Sequence, residues 1–300
     1  MAASSRFYLS RVIKFGNMTS EGVIQAIRES ATIQFRGVRY TFTDFQSFGA
    51  GDHPTGVYAR IAKYRPEGTV EVVRPDVHSV RQESVANLIE GASPFVYLPE
   101  FSGIAYKHVW NILERDQFSR LFCQLIEASP QSFFGRCELE PVTDLRTFVT
   151  RLSRLEKITI LQARVKPPNP LFGPCWESLK EYLKKRRLEE VSIKEESAGG
   201  ISTKVAEIAS RMSSGSTNAL ELHDMMEPLL GGVGDAALLM AADGYGNGKV
   251  VGIEDARTVT IRTSENQKSF AFDRDPEPEE LFRIAFEEFG KINDERYLDH

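Results

Sequence analysis

The chain has 300 residues, with 37 Lys and Arg against 42 Asp and Glu and a formal charge of −5. A chain of this length and ordinary globular composition can bury a core without disulfides or a structural metal. It contains no run of about eighteen apolar residues, so no membrane-spanning helix is expected. The opening stretch, MAASSRFYLSRVIKF, has no apolar run before its charges. No signal peptide is therefore expected, and the cytoplasm is the default location. Cys123, Cys137 and Cys175 are widely spaced and form no C-x-x-C. Reduced, mostly buried thiols are expected rather than a disulfide framework or a zinc site.

Charge is unevenly distributed. Residues 1–111 carry 12 basic and 10 acidic side chains, residues 112–190 carry 14 and 11, and residues 191–300 carry 11 and 21. The acid is concentrated in the last third, a polarity that speaks to partners more than to fold.

In chain order, residues 7–15 read as a strand and 20–30 as a short helix with Val23, Ile24 and Ile27 on its apolar side. Residues 33–45 read as a hairpin broken at Gly37. A second hairpin is expected from 57–64, a turn at Pro66-Glu67-Gly68, and a return over 69–73. Residues 93–99 and 103–110 make a third pair. The clearest helix is 116–128, where Phe118, Leu121, Phe122, Leu125 and Ile126 recur at helical spacing. Beyond Pro130 strands and helices alternate. A strand at 134–140 precedes a helix capped by Thr143 and running to Leu155. A strand at 157–165, a helix at 177–188, a strand at 191–196 and a helix at 201–212 follow. Residues 213–218, SSGSTN, read as a connector. AALLMAA, 236–242, fits a buried strand or a helix equally well, and DGYGNGK, 243–249, reads as a turn. Residues 257–263 and 268–273 are expected to form a hairpin around SENQ. Asp275 should cap a final helix with Pro276 in its first turn, and Leu281, Phe282, Ala285, Phe286, Phe289 and Ile292 as its apolar face.

The expected architecture is α+β. A strand-rich domain of antiparallel hairpins spans 1–129, and an α/β domain ending in an amphipathic helix spans 130–300.

The strongest functional signal is basic. Residues 136–187 hold twelve Lys and Arg against six acids. Lys180, Lys184 and Arg187 fall at i, i+4 and i+7, with Lys185 beside them. Arg151 and Arg154 lie one turn apart, with Arg146 about 140° around the helix from Arg151. Long cations on an outward face suit a phosphate backbone, where each contact releases counterions and reads no sequence. The competing reading is a solvated helix end favoured by the macrodipole. A third is docking onto the acidic last third of the same chain or a second copy.

Other constellations carry less. GGVGD (231–235) and DGYGNGK match no phosphate-loop pattern and read as turn glycines. Glu190, Lys194, Glu195, Glu196, Asp235, Asp243, Glu254 and Asp255 show no spacing diagnostic of a metal nuclease. His53, His78, His108, His223 and His300 are not at ligand spacing, and no nucleophile elbow occurs. No catalytic residue, metal ligand or cofactor is therefore assigned. The aromatic faces of the helices read as core, with Phe282 to Phe289 an alternative dimer seam.

The opening FY strand, short helix and aromatic hairpin come early in the chain. NPLFGPCWESLKEYLKKRRLEEVSIKEE and the helix ISTKVAEIASRM come later. In that order the chain resembles the prophage exclusion protein RexA family and, more loosely, the KwaB component of the Kiwa anti-phage system. The resemblance is one of element order and implies a dimeric, non-enzymatic protein of phage exclusion or defence that contacts DNA with little sequence preference. The resulting expectation is nucleic-acid binding, DNA rather than RNA, through Lys180, Lys184, Lys185 and Arg187, with Arg151 and Arg154 second. A homo-oligomer is expected, and the acidic last third is a candidate surface for a protein partner. A metal-dependent nuclease and an interaction subunit of a defence complex are the alternatives.

Overall fold

The computed structural model describes residues 5–49, 53–130, 135–167, 179, 183, 185–205, 207 and 233–296. Among these, five helices and twelve strands form two antiparallel sheets, an α+β fold. The first sheet runs β12-β1-β6-β5-β4-β3-β2, with β7 also paired to β1. Its strands are β1 (Ser5–Gly16), β2 (Thr32–Phe35), β3 (Val38–Phe48), β4 (Gly56–Arg74), β5 (Ser79–Leu98), β6 (Gly103–Lys107), β7 (Gly135–Pro141) and β12 (Ser269–Phe272). The second sheet runs β11-β10-β8-β9, built from β8 (Lys157–Val165), β9 (Val191–Glu196), β10 (Gly246–Glu254) and β11 (Arg257–Arg262). The first sheet thus draws strands from both sides of residue 130.

Period-two alternation gives the first sheet two buried faces. Phe95, Tyr97, Ile104 and Tyr106 pack beneath α1 (Ser20–Arg28) and α2 (Arg115–Glu127). Their alternates Val96, Leu98 and Ala105 pack beneath the last helix, α5 (Pro278–Arg296). Helix α2 presents the five apolar residues its spacing predicted, and Phe118 stacks on Tyr106 at 4.2 Å between centroids. On the other face Phe282 stacks on Phe48 at 4.5 Å, and Phe289 lies so close to Gly103 that an added Cβ would meet its ring at 2.6 Å. The aromatic stripe of α5 therefore covers the sheet and is not a dimer seam.

In the second layer, α4 (Val233–Ala242) is buried along its length from Gly234. An Ala- and Leu-rich run without β-branched residues favours helix over strand, which decides the reading of 236–242. Helix α3 (Leu145–Leu152) packs Leu145, Phe148 and Leu152 into the same core.

Several expectations are corrected. Pro66-Glu67-Gly68 is no turn: β4 runs straight through it, and the chain reverses at residues 75–78, where His78 is left-handed at φ 46°. Beyond Tyr64, β4 has no neighbour except β5, so the missing N–H of Pro66 costs no ladder bond. Residues 257–263 and 268–273 do not pair. β11 joins β10 in one sheet and β12 joins β1 in the other. DGYGNGK is only partly a turn, because β10 begins at Gly246. There a Cβ would sit 2.0 Å from the carbonyl oxygen of Arg164, so close approach of β8 requires the glycine. Thr143 does not cap α3. Asp144 does, accepting from Thr147 N–H at 2.9 Å, while Thr143 bonds the carbonyl of Thr263. The last helix starts at Pro278, and Asp275 instead accepts from Ser5 and Lys107. The expected helices at 177–188 and 201–212, the connector at 213–218 and Cys175 lie largely or wholly outside the described residues.

Two buried cations join the layers. Arg11 of β1 donates to the Phe101 carbonyl at 2.6 Å and reaches the Asp243 carboxylate at 3.5 Å, with the rings of Tyr245 and Phe289 about it. Lys166, just after β8, is paired with Glu138 and Glu140 of β7. Removing one member of a buried pair leaves the other charge stranded. Asp243→Ala should cost about 3–5 kcal/mol in urea unfolding, whereas Arg11→Met with Asp243→Ala together should cost less than that single change. Phe118→Ala should cost a similar ~3–5 kcal/mol through the cavity it leaves between α2 and the sheet.

Candidate nucleic-acid interface

Helix α3 turns its polar side outward, and Arg146 and Arg154 are exposed there. Its N-terminus is stitched to the turn after β11 by the bond from Asp144 N–H to the Asn266 carbonyl, at 2.7 Å. That stitch sets Glu265 between two guanidiniums: Arg151 reaches one carboxylate oxygen at 2.6 Å and Arg262 the other at 3.3 Å. Burial opposes the charge on Glu265, but the bonds from Arg151 and Arg262 outweigh it and hold the carboxyl below its ordinary range. Two arginines, from α3 and β11, thus hold one carboxylate, with Arg146 and Arg154 exposed on and just after the same helix. Arg262 could not be singled out from sequence, because it belongs to the acidic last third and only the fold brings it to α3.

The second basic group lies elsewhere. Lys180 and Lys184 fall outside the described residues. Leu179 and Leu183 point into the core, and Lys185, Arg186 and Arg187 are exposed just before β9. Neighbouring cations are already paired. Arg164 meets Glu190 at 2.5 Å, Arg136 lies 3.8 Å from Glu189 and 4.0 Å from Glu138, and Lys166 is the buried tie described above. Among the described residues, Arg154, Lys185 and Arg187 make no ion pair. Edge strands β11 and β9 stand at opposite ends of their four-stranded sheet, roughly 15 Å apart at normal strand spacing. Arg151 and Arg154 therefore belong to one edge and Lys185 and Arg187 to the other, not to a single stripe.

The carboxylates considered for a metal are dispersed. Asp235 accepts from the Thr203 hydroxyl and Lys204 N–H, Asp243 serves Arg11, Glu196 is paired with Lys194, and Asp255 sits in the β10–β11 turn. Among the described residues no group of three His, Cys, Asp or Glu could hold a metal ion.

One further polar cluster was invisible in sequence because its members are far apart in the chain. Lys14 Nζ donates to Ser102 Oγ at 2.7 Å and Ser20 Oγ at 3.2 Å, and Tyr97 donates to Ser20 at 3.3 Å. Ser102 is left-handed at φ 44° and 1% exposed, so its hydroxyl does not meet a substrate in this conformation. Burial pulls the Lys14 ammonium from 10.5 down to about 8, against weaker support from Cys137 and Glu21.

A scan of the chain against protein-family models gives no match, and a search of curated proteins gives none either.

Lys14 has a measurable signature. Below pH 8 it is charged in both folded and unfolded chains, and the fold carries its desolvation penalty. Between pH about 8 and 10.5 the unfolded chain holds the extra proton, so stability through Lys14 rises with pH. Lys14→Met should abolish that rise, seen as the parent gaining on the variant in urea unfolding as pH increases through the window.

Proposed function

We propose that the chain contacts nucleic-acid backbone without sequence preference, DNA before RNA, in a setting of phage exclusion or anti-phage defence. The observation that carries this reading is the pair Arg151 and Arg262 on Glu265, with Arg146 and Arg154 exposed on and just after the same helix. Guanidiniums match phosphate bidentately, and Arg151 and Arg262 already hold one oxyanion between them. Glu265 occupies the position a phosphate would take. Lys185 and Arg187, at the opposite sheet edge, supply a second contact. The defence setting rests on the resemblance in element order alone. The role is electrostatic and asks for no cofactor.

A salt titration of duplex DNA binding by fluorescence anisotropy tests it. Arg154→Ala with Arg262→Ala should lower the slope of log affinity against log salt by about two units, since each lost phosphate contact removes close to one. Glu265→Gln should do the reverse: it frees Arg151 and Arg262 and raises affinity with little effect on stability, because an exposed pair contributes under about 1 kcal/mol. A parent chain that DNA does not retain at low salt overturns the reading. So does an unchanged slope in the arginine variant.

A further inference from the structure

Among the described residues, one unusual surface is neither basic nor part of either sheet's core. β4 and β5 continue beyond the first sheet as a bare two-stranded arm. β3 leaves β4 at Tyr64, and β6 joins β5 only from Phe95. Between them the two strands pair with each other alone, out to Arg74 and Ser79. At normal rise the arm reaches roughly 30 Å. Every residue from 71 to 87 is exposed. Val73, Val77 and Val80 are each at least 60% exposed, and Ile89 near the foot is 57% exposed. Close to that foot Ile112 packs over Gly91, and the same loop carries Trp110, 72% exposed.

A two-stranded ribbon bare on both faces and both edges is at best marginal in water. A long unpaired edge with exposed valines is a template for another strand. The charges point to what that strand is. Residues 65–90 carry Arg65, Arg74 and Arg81 against Glu67, Glu71, Asp76, Glu83 and Glu90, a mixture leaning acidic and unsuited to phosphate. Past Arg65 and Glu90 at the foot, none of these takes part in an ion pair among the described residues. The run Ser79-Val80-Arg81-Gln82-Glu83-Ser84-Val85 is self-complementary about its centre. Laid antiparallel against itself, it sets Arg81 opposite Glu83, Val80 opposite Ser84 and Ser79 opposite Val85. Directly opposed residues share a face, and opposite charges so placed are favourable.

We propose that the arm is a dimerisation element. The outer edge of β5 pairs antiparallel with the same edge of a second copy, about a two-fold axis at Gln82. Each Arg81 then meets the partner's Glu83, and each Val80 meets the partner's Ser84. Such a contact is isologous, so it ends at two chains instead of propagating. This inference is independent of the nucleic-acid reading.

Sedimentation equilibrium on the full chain tests it. The parent should be a dimer. Arg81→Glu alone and Glu83→Arg alone each place like charges opposite one another twice, and each should weaken the dimer by about tenfold. The double variant Arg81→Glu with Glu83→Arg restores both pairs and should restore the dimer. Because it carries both substitutions, its recovery separates lost pairing from misfolding. A parent monomeric at every concentration overturns the proposal. It is equally overturned by a dimer that survives replacement of residues 68–85 with a two-residue Asn-Gly turn, or by a double variant no tighter than the single ones.

Discussion

Arg11 is the fastening on which the arrangement of the two layers depends. It sits on β1, the strand that serves all three buried clusters. Phe7 and Leu9 face α5, Val12 faces α2, and Ile13 belongs to the core around α4. The guanidinium leaves that strand at the point where the layers meet. Its donors end on the Phe101 carbonyl of the first layer and on Asp243, at the end of α4, in the second. A buried charge of this kind makes its partners hard to separate, because parting the layers would leave Arg11 and Asp243 each stranded. Lys166 with Glu138 and Glu140 repeats the device on the far side of β7.

The same economy explains why the basic segment offers less free charge than its composition implies. Lys166 is internal, Arg136 and Arg164 lean on glutamates adjacent to them in space, and Arg151 shares Glu265 with Arg262. Cation-rich sequence was partly a record of how the second sheet is held to the first. What is left for a partner is narrower, and it is divided between the two sheet edges.

Local pattern was legible where one element answers to one core. The five-residue apolar face of α2, the Arg36-Gly37 hairpin with both φ positive, and the terminal helix all follow from spacing and turn chemistry. The pattern misled where a distant neighbour decides. Pro66 and Gly68 look like a turn, yet an unpaired strand edge accommodates the proline, and Leu88 lies where a Cβ on the glycine would go. Residues 257–273 look like one hairpin, yet each half finds a better partner in a different sheet. The candidate basic group was half legible. Helical periodicity marked Arg151 and Arg154, but the sequence could not bring Arg262 and Glu265 to Arg151, where the stitch between Asp144 and Asn266 holds their turn. The overhanging arm escapes the sequence because Pro66-Glu67-Gly68 reads as the turn, which cuts the ribbon short.

The pairing of β1 with β12 joins Ser5 to Phe272. Everything in the second layer is therefore threaded between two strands of the first. A nascent chain emerging from a ribosome can form the β1–β6 and β4–β5 ladders early. It cannot cover Phe7, Leu9 and Leu98 until α5, which follows every strand of both sheets, has been synthesised. The first sheet thus stays open on one side while the whole second layer is being made. Ladders of such sequence separation form slowly and leave apolar surface exposed while they wait. Chaperone demand during synthesis is a direct corollary of placing the covering helix so far along the chain from the strands it covers.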